Sequence, residues 1–515
     1  MRTKHLLVLV SMMAFQLQPS WAAKRSTGII WEASTNRQTP LGASISDQGD
    51  RIFTAVGYQP ATAGLFDAWG SGRPLWLHGI QPYIIDGDFS MSEDGSIKVL
   101  VYTDLTDLTT GIYKWSGDNP EPDWHYRFPG RQIFAHGSIS ADGSKIVAIS
   151  SSVLVLHTVV FDPASAVPLW SKNDGLGNIE AVAVSGDGNV AIANDMGRSW
   201  AFATHNGKRL WEGEGAVARG YDLSWDGTHI VATIGDARAI IEVRRWNGTE
   251  YELLWNFAMP NASDSFSDAV AISDDGSTVL LGLTDWDQRG HNWVGLFDTS
   301  SPVPLWSREI EGGSDGGLLI LDVISGCDLS ADGSRAIVGY WGDPDYPHEE
   351  LFVFERESSD PIFVLDTPGS IFGCDITSDG TQAAVACKRL HASRSGHGGT
   401  VYSIDLTTGA DLSVTDSPAA PLPGGGNLTF SIKLENTGSA AQEFDEVEFR
   451  VSGPASKEVD LYPGPHQWIA PGATLENKFV LPLPELTPSG NYEGEVVVRL
   501  NGGWLDRASF TFEVQ

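Results

Sequence analysis

A short hairpin turn that recurs along most of the chain constrains the fold more than any other feature. Residues 326–338, GCDLSADGSRAIV, carry an apolar-alternating run, the turn Ser-x-Asp-Gly, and a second alternating run. Near copies put turn glycines at Gly49, Gly95, Gly143, Gly188, Gly227, Gly276, Gly333 and Gly380, spaced by 46, 48, 45, 39, 49, 57 and 47 residues. Asp-Gly between alternating runs specifies a β-hairpin, because Gly takes the positive φ the turn needs. A hairpin repeated at this period is the signature of four-stranded propeller blades.

The rest of each repeat supports that reading. The residue before each turn Ser or Thr is apolar (Ile45, Met91, Ile139, Val184, Leu223, Ile272, Leu329, Ile376), as a period-two inner strand requires. A third strand follows, often ending in an aromatic and Asp, as at Phe66-Asp67, Phe161-Asp162 and Phe297-Asp298. A fourth carries Leu-Trp or an echo of it, at Trp76, Trp124, Trp170, Trp211, Trp255, Trp306 and the degenerate Phe363. These tryptophans are expected to pack between blades. The last repeat ends at Asp405 with no such strand, whereas one at 28–31, ending in Trp31, opens the expected mature chain ahead of the first repeat. The expectation is an all-β fold with an eight-bladed β-propeller closed by its N-terminal strand, with seven blades as the alternative.

The segments FDAWGSGRPLW (66–76) and FATHNGKRLW (202–211) resemble the repeat of the quinoprotein-like propellers, and SADGS (330–334) resembles the turn of WD40-type repeats. The likeness covers residues 28 to about 405 and implies a β-propeller. The quinoprotein enzymes imply pyrroloquinoline quinone and Ca²⁺ over a vicinal disulfide. This chain has no adjacent cysteines and no matching Glu, Asn and Asp set, so no cofactor is expected. Non-catalytic relatives imply a protein-binding platform instead.

Past Asp405 the composition changes. A Pro/Gly-rich patch at 418–426 precedes alternating runs separated by turn signals such as Asn436-Thr437-Gly438 and Pro471-Gly472. About a hundred residues with about seven short strands suit a small β-sandwich. The pattern resembles bacterial immunoglobulin-like modules. The expected domains are a signal peptide over 1–22, a propeller over 26–408 and an immunoglobulin-like sandwich over 409–515.

The first of these rests on Arg2 and Lys4, an apolar run at 6–15, and Ser20-Trp21-Ala22. That run is too short to span a bilayer and no later stretch is long and apolar enough, so a secreted or periplasmic chain without a transmembrane segment is expected. With 33 Lys+Arg against 66 Asp+Glu, the formal net charge is −33, which repels nucleic acid. Cys327, Cys374 and Cys387 are too few for a disulfide scaffold. Cys327 and Cys374 share one register in successive repeats, while Cys374 and Cys387 lie on two arms of one hairpin and are able to pair.

Function is expected where the repeat breaks down. The longest connections, at 284–293, 307–326, 340–350 and 388–400, come from consecutive repeats and belong to the face opposite the Asp-Gly turns, which looks plain. They carry the candidate ligand-binding residues Trp286, Arg289, His291, Trp293, Tyr340, Trp341, Tyr346, His348, Arg389, His391, Arg394 and His397. Aromatics with forked donors suit a protein or glycan partner. No metal site is expected, because Asp343-x-Asp345-x-x-His348 and His391-x5-His397 fix no geometry and Leu296 stands where a calcium loop needs Glu. The reading is an exported, non-catalytic binding or scaffold protein. The alternative is a polysaccharide-active lyase or hydrolase with a His/Tyr/Arg site on the same face. Asp222, Asp328 and Asp375, two positions before the turn Ser/Thr, are candidates for an acidic ring in the central channel or for solvated strand carboxylates.

Overall fold

Each Ser-x-Asp-Gly stretch folds as its residue types dictate. In the second repeat the Ser92 hydroxyl donates to Asp94 Oδ1 at 2.7 Å, and that oxygen accepts the Ser96 N–H at 2.9 Å. Gly95, with φ of 67°, donates its N–H to Ser92 O at 2.8 Å. The same set recurs at Ser140, Ser185, Ser224 and Ser273. The Asp side chain thus satisfies the backbone that the reversal exposes.

The computed structural model describes residues 28–515 except 36–37, 58–60, 81–86, 105–107, 133, 153–154, 176–178, 196–197, 215–219, 235–238, 263–264, 286–290, 313–321, 344–347, 392–396, 408–409, 438–441, 462–466 and 501–503. The expected signal peptide lies outside the described residues. Among those described, no helix is long and apolar enough to cross a membrane.

The fold is a β-propeller of four-stranded antiparallel sheets. In the first repeat Thr39–Ile45, Arg51–Gly57, Ala61–Asp67 and Pro74–Ile80 pair in chain order, and later repeats follow suit. The final sheet differs: Ile371–Ile376, Gln382–Lys388 and Gly399–Asp405 take Ile29–Ser34 as their fourth strand. The strand that precedes the first repeat therefore shares a sheet with the last three strands of the ring, which ties the first repeat to the last.

Neighbouring sheets dock through the fourth-strand tryptophans. Trp31 donates its indole N–H to Ala68 O at 2.9 Å, Trp124 to Pro163 O at 2.8 Å, Trp255 to Thr299 O at 2.7 Å and Trp306 to Arg356 O at 3.1 Å. Each acceptor lies just past the third strand of the next sheet. The ring stacks on the aromatic that ends that strand, Trp31 on Phe66 at 5.2 Å and Trp255 on Phe297 at 5.3 Å. One residue thus supplies apolar burial and directional docking.

Beyond Asp405, Ala410–Asp416, Asn427–Asn436 and Thr474–Pro482 form a three-stranded sheet. Gln442–Ser452, Lys457–Asp460, Gln467–Ile469, Gly490–Leu500 and Trp504–Val514 form a second, joined to Pro361–Leu365 through the pair Phe363–Trp504. Phe430 stacks on Phe449 at 4.8 Å and meets Phe510 at 5.1 Å, so the two sheets share an aromatic core.

Candidate functional site

The innermost strands of successive repeats run side by side from the loop-rich face down to the Ser-x-Asp-Gly turns. At their upper ends they surround a cavity of about 660 Å³ walled by Phe89, Ser90, His136, Ser138, Trp341 and Phe372, among others. Close approach here needs small neighbours: a Cβ on Gly42 would lie 2.5 Å from Phe89 Cζ. His136 Nδ1 is 3.0 Å from Asp88 Oδ2, which also accepts the Gly137 N–H at 3.0 Å. The carboxylate thereby fixes the imidazole against the wall. The Trp341 backbone N–H donates to Val323 O at 2.9 Å and its backbone carbonyl accepts the Ser370 hydroxyl at 2.6 Å. Its ring stands edge-on to Phe372 at 6.2 Å. The wall is thus aromatic and hydroxyl-rich, with one oriented imidazole.

Lower down, the expected acidic ring has a structural use. Asp222 accepts the Ile272 N–H at 2.8 Å, Asp328 the Ile376 N–H at 2.9 Å, and Asp375 the Ile45 N–H at 2.8 Å, each clasping the inner strand of the next repeat. Burial pushes the Asp222 carboxyl up to about 7. Burial, reinforced by Asp375 alongside, holds Asp328 well above the carboxylate range.

The opposite mouth is less plain than the short turns imply. Turn tips are stitched by backbone hydrogen bonds, Asp47 N–H to Glu93 O at 2.8 Å, Glu93 N–H to Ala141 O at 2.9 Å and Trp225 N–H to Asp274 O at 2.9 Å. The variable second residue of the turn points across the mouth, where Asp47, Glu93 and Asp274 repel one another and Trp225 donates to Glu93. Burial and then Asp47 raise Glu93 to about 7 and Asp274 to about 6. Gly186 makes room for the Trp225 ring, since a Cβ there would lie 2.2 Å from Trp225 Cδ1.

Of the residues expected to bind a ligand, Trp341 lines the central cavity. Trp293 and Tyr340 are corrected to packing residues: they are 3% and 0% exposed, Trp293 stacking on Phe257 and Tyr340 edge-on to His348. His348 Nε2 lies 2.6 Å from Asp322 Oδ2, and its Nδ1 lies 2.7 Å from Glu349 O. Burial opposes the charge on His348, but Asp322 outweighs it and lifts the imidazole to about 9. His391 Nε2 lies 3.0 Å from Glu350 Oε1, and Glu350 Oε2 accepts the Thr367 N–H at 2.7 Å. Both histidines serve as struts between loops. His291 lies at a strand start, its Nε2 3.6 Å from Glu309. Arg389 and His397 are exposed, with the Arg389 N–H on Gly398 O at 2.9 Å. Trp286, Arg289, Tyr346 and Arg394 lie outside the described residues.

The sequence reading missed Asp88, just before the inner strand Phe89–Met91, and His136, on the inner strand Phe134–Ile139, neither of which has distinctive spacing. It also missed the buried carboxylates Asp322 and Glu350 that engage the histidines. The turn-tip residues had a signal available, the most variable place in a tetrapeptide that otherwise changes only at Gln48 and Thr377. Among the described residues the three cysteines are free thiols, and no group of three or more His, Cys, Asp or Glu is placed to hold a metal ion.

No family model matches the chain, and no curated protein does. Solved structures do match. The C-terminal WD40 domain of Sif2 is similar with a TM-score of 0.50 at 13% identity, covering 73% of this chain and 98% of that domain. The Dos1 propeller is similar with a TM-score of 0.50 at 12% identity, covering 73% and 94%. The Myceliophteria_thermophila Cps50 (Swd1) β-propeller domain gives 0.41 at 13% identity, covering 58% and 92%. The likeness to Sif2 and Dos1 concerns the fold: the chain contains a WD40-like β-propeller.

Proposed function

We propose that the chain is an exported, non-catalytic binding or scaffold protein. In this reading an eight-bladed ring over 26–408, closed by the N-terminal strand, presents its loop-rich face and central cavity to a protein or glycan partner. An immunoglobulin-like module over 409–515 is its spacer or second adhesive unit. The observation that carries the reading is the cavity itself: about 660 Å³, walled by Trp341 and Phe372 and by a carboxylate-held His136. A rigid aromatic surface beside fixed donors is what a concave recognition site needs.

The test is a glycan array and a peptide library, with each hit measured against Trp341→Ala and His136→Ala proteins. Loss of affinity without loss of fold supports the reading, and unchanged affinity contradicts it. A second reading, a polysaccharide-active enzyme, draws on the same Asp88–His136 pair, because a carboxylate-oriented imidazole suits a general base. Its residue is then His136, since His348 and His391 are committed to Asp322 and Glu350. Release of unsaturated uronides or reducing ends, abolished in His136→Ala, separates the two.

A further inference from the structure

Four arginines meet where the propeller abuts the C-terminal strands, in a chain whose formal charge is −33. Arg308 comes from the propeller; Arg450, Arg499 and Arg507 come from the C-terminal sheet, and together they line a cleft of about 120 Å³. The acidic residues in the same lining are Glu349, Asp360 and Glu448, so the cations outnumber them. Some of this charge is internally matched: Arg499 Nη2 donates to Glu349 Oε1 at 2.8 Å and Arg450 Nη2 to Glu448 Oε2 at 2.7 Å, while Arg308 Nη1 makes a longer contact with Asp360 Oδ1 at 3.9 Å.

Arg308 and Arg507 are arranged differently. Each is anchored through Nη1 to a backbone carbonyl, Arg308 to Ser359 O at 3.2 Å and Arg507 to Pro361 O at 2.9 Å. Those two carbonyls are two residues apart, Ser359 just before the strand Pro361–Leu365 and Pro361 at its start, so the two guanidinium groups are held close together. The Nε–H of each is buried and meets no protein acceptor. Anchoring through Nη1 leaves the Nε edge of the fork, the edge that binds oxyanions side-on. Burial lowers the pKa of Arg507; Asp360 and Glu495 oppose that shift, and Arg450 and Arg308 add to it, which places all of these charges around the one guanidinium. Like charges around a cleft repel unless an anion lies between them. The volume of 120 Å³ is about four times the ~30 Å³ share of one water in the liquid, which suits a single small oxyanion and excludes a nucleotide.

We propose that this cleft binds a small tetrahedral oxyanion of the phosphate or sulfate class, bridging Arg308 of the propeller and Arg507 of the C-terminal strands. The site is independent of the central cavity. By binding both sides at once, the ion locks the C-terminal sheet onto the ring and stabilises the folded chain by mass action.

The full chain is titrated with inorganic phosphate and with sulfate against chloride at matched ionic strength, by calorimetry and thermal melting. Glycerol phosphate serves as a further arm that distinguishes a free ion from an esterified group. The expected result is saturable binding with a rise in Tm, weakened about tenfold or more in both Arg308→Lys and Arg507→Lys, which keep charge but lose the fork. General salting-out stabilisation is unsaturable and equal in the variants. A wild-type response no different from chloride, or Lys variants that bind as tightly as wild type, overturns the proposal.

Discussion

The carboxylate of Asp375, on the inner strand of the last repeat, accepts the backbone N–H of Ile45, on the inner strand of the first, at 2.8 Å. This bond crosses the seam where the chain closes on itself. Two other bonds of the same design join consecutive repeats, from Asp222 to Ile272 and from Asp328 to Ile376. At the seam it works alongside Ile29–Ser34, paired with Gly399–Asp405, and Trp31, which docks on Ala68. Three separate contacts thus hold the ends of a long ring together.

Removing the acceptor leaves the Ile45 N–H facing a strand with nothing to receive it. Asp375→Ala is expected to destabilise the chain by about 1–3 kcal/mol in urea unfolding. Asp375→Asn keeps an acceptor and relieves the repulsion with Asp328, so its loss is expected to be the smaller. Equal losses in the two variants contradict a clasp.

Interblade docking separates into a hydrogen bond and a stacked ring at Trp255. Trp255→Phe keeps the ring against Phe297 and loses the bond to Thr299 O, at an expected cost of about 1 kcal/mol. Trp255→Ala loses both, with an expected cost of about 3–5 kcal/mol. Chemical denaturation of both variants checks the ratio.

Stability is expected to fall as pH rises, in two windows. Glu93 has a folded pKa of about 7 against an ordinary 4.5, so between those values the folded state binds more protons than the unfolded one. Its contribution is complete below 4.5 and is lost by about pH 7. The folded pKa of His348 is about 9 against 6.5, so its pairing with Asp322 stabilises fully below 6.5 and is lost as pH passes 9. Melting curves at pH 5, 7 and 9 are expected to show Glu93→Gln flattening the lower window and raising Tm at the highest pH. His348→Gln flattens the upper window. A wild-type Tm that rises over this range contradicts both assignments.

Thiol reactivity follows burial. Cys387 is fully buried and its thiol is pushed up to about 12; burial also holds Cys327 and Cys374 well above the usual thiol range. Alkylation of the native protein at pH 8 is expected to leave Cys387 unmodified, with all three cysteines labelled in denaturant. Rapid native labelling of Cys387 contradicts the packing of that strand.

The repeat was legible because its signals are local. Asp-Gly turns, period-two inner strands and the fourth-strand tryptophans each specify structure within a few residues, and the missing last strand pointed to the N-terminal one. Ligand-facing residues depend on contacts between distant segments, which spacing does not encode. His348 and His391 read as candidate ligands until Asp322 and Glu350, supplied by other loops, are seen beside them. Tyr340 ends its strand and Trp293 lies two residues inside the start of His291–Asp298, where one step of register decides between core and surface. His136 looked like any inner-strand residue, and only convergence of the strands puts it in the wall of the same cavity as Trp341.

The central claim is that the cavity ringed by the inner strands is a recognition site. Its most direct test is the affinity of array-identified glycan or peptide ligands for wild-type and Trp341→Ala proteins by calorimetry. The account predicts at least about tenfold weaker binding, the scale of one lost aromatic anchor, with Tm unchanged. Equal affinity for the two proteins would place recognition elsewhere and contradict it.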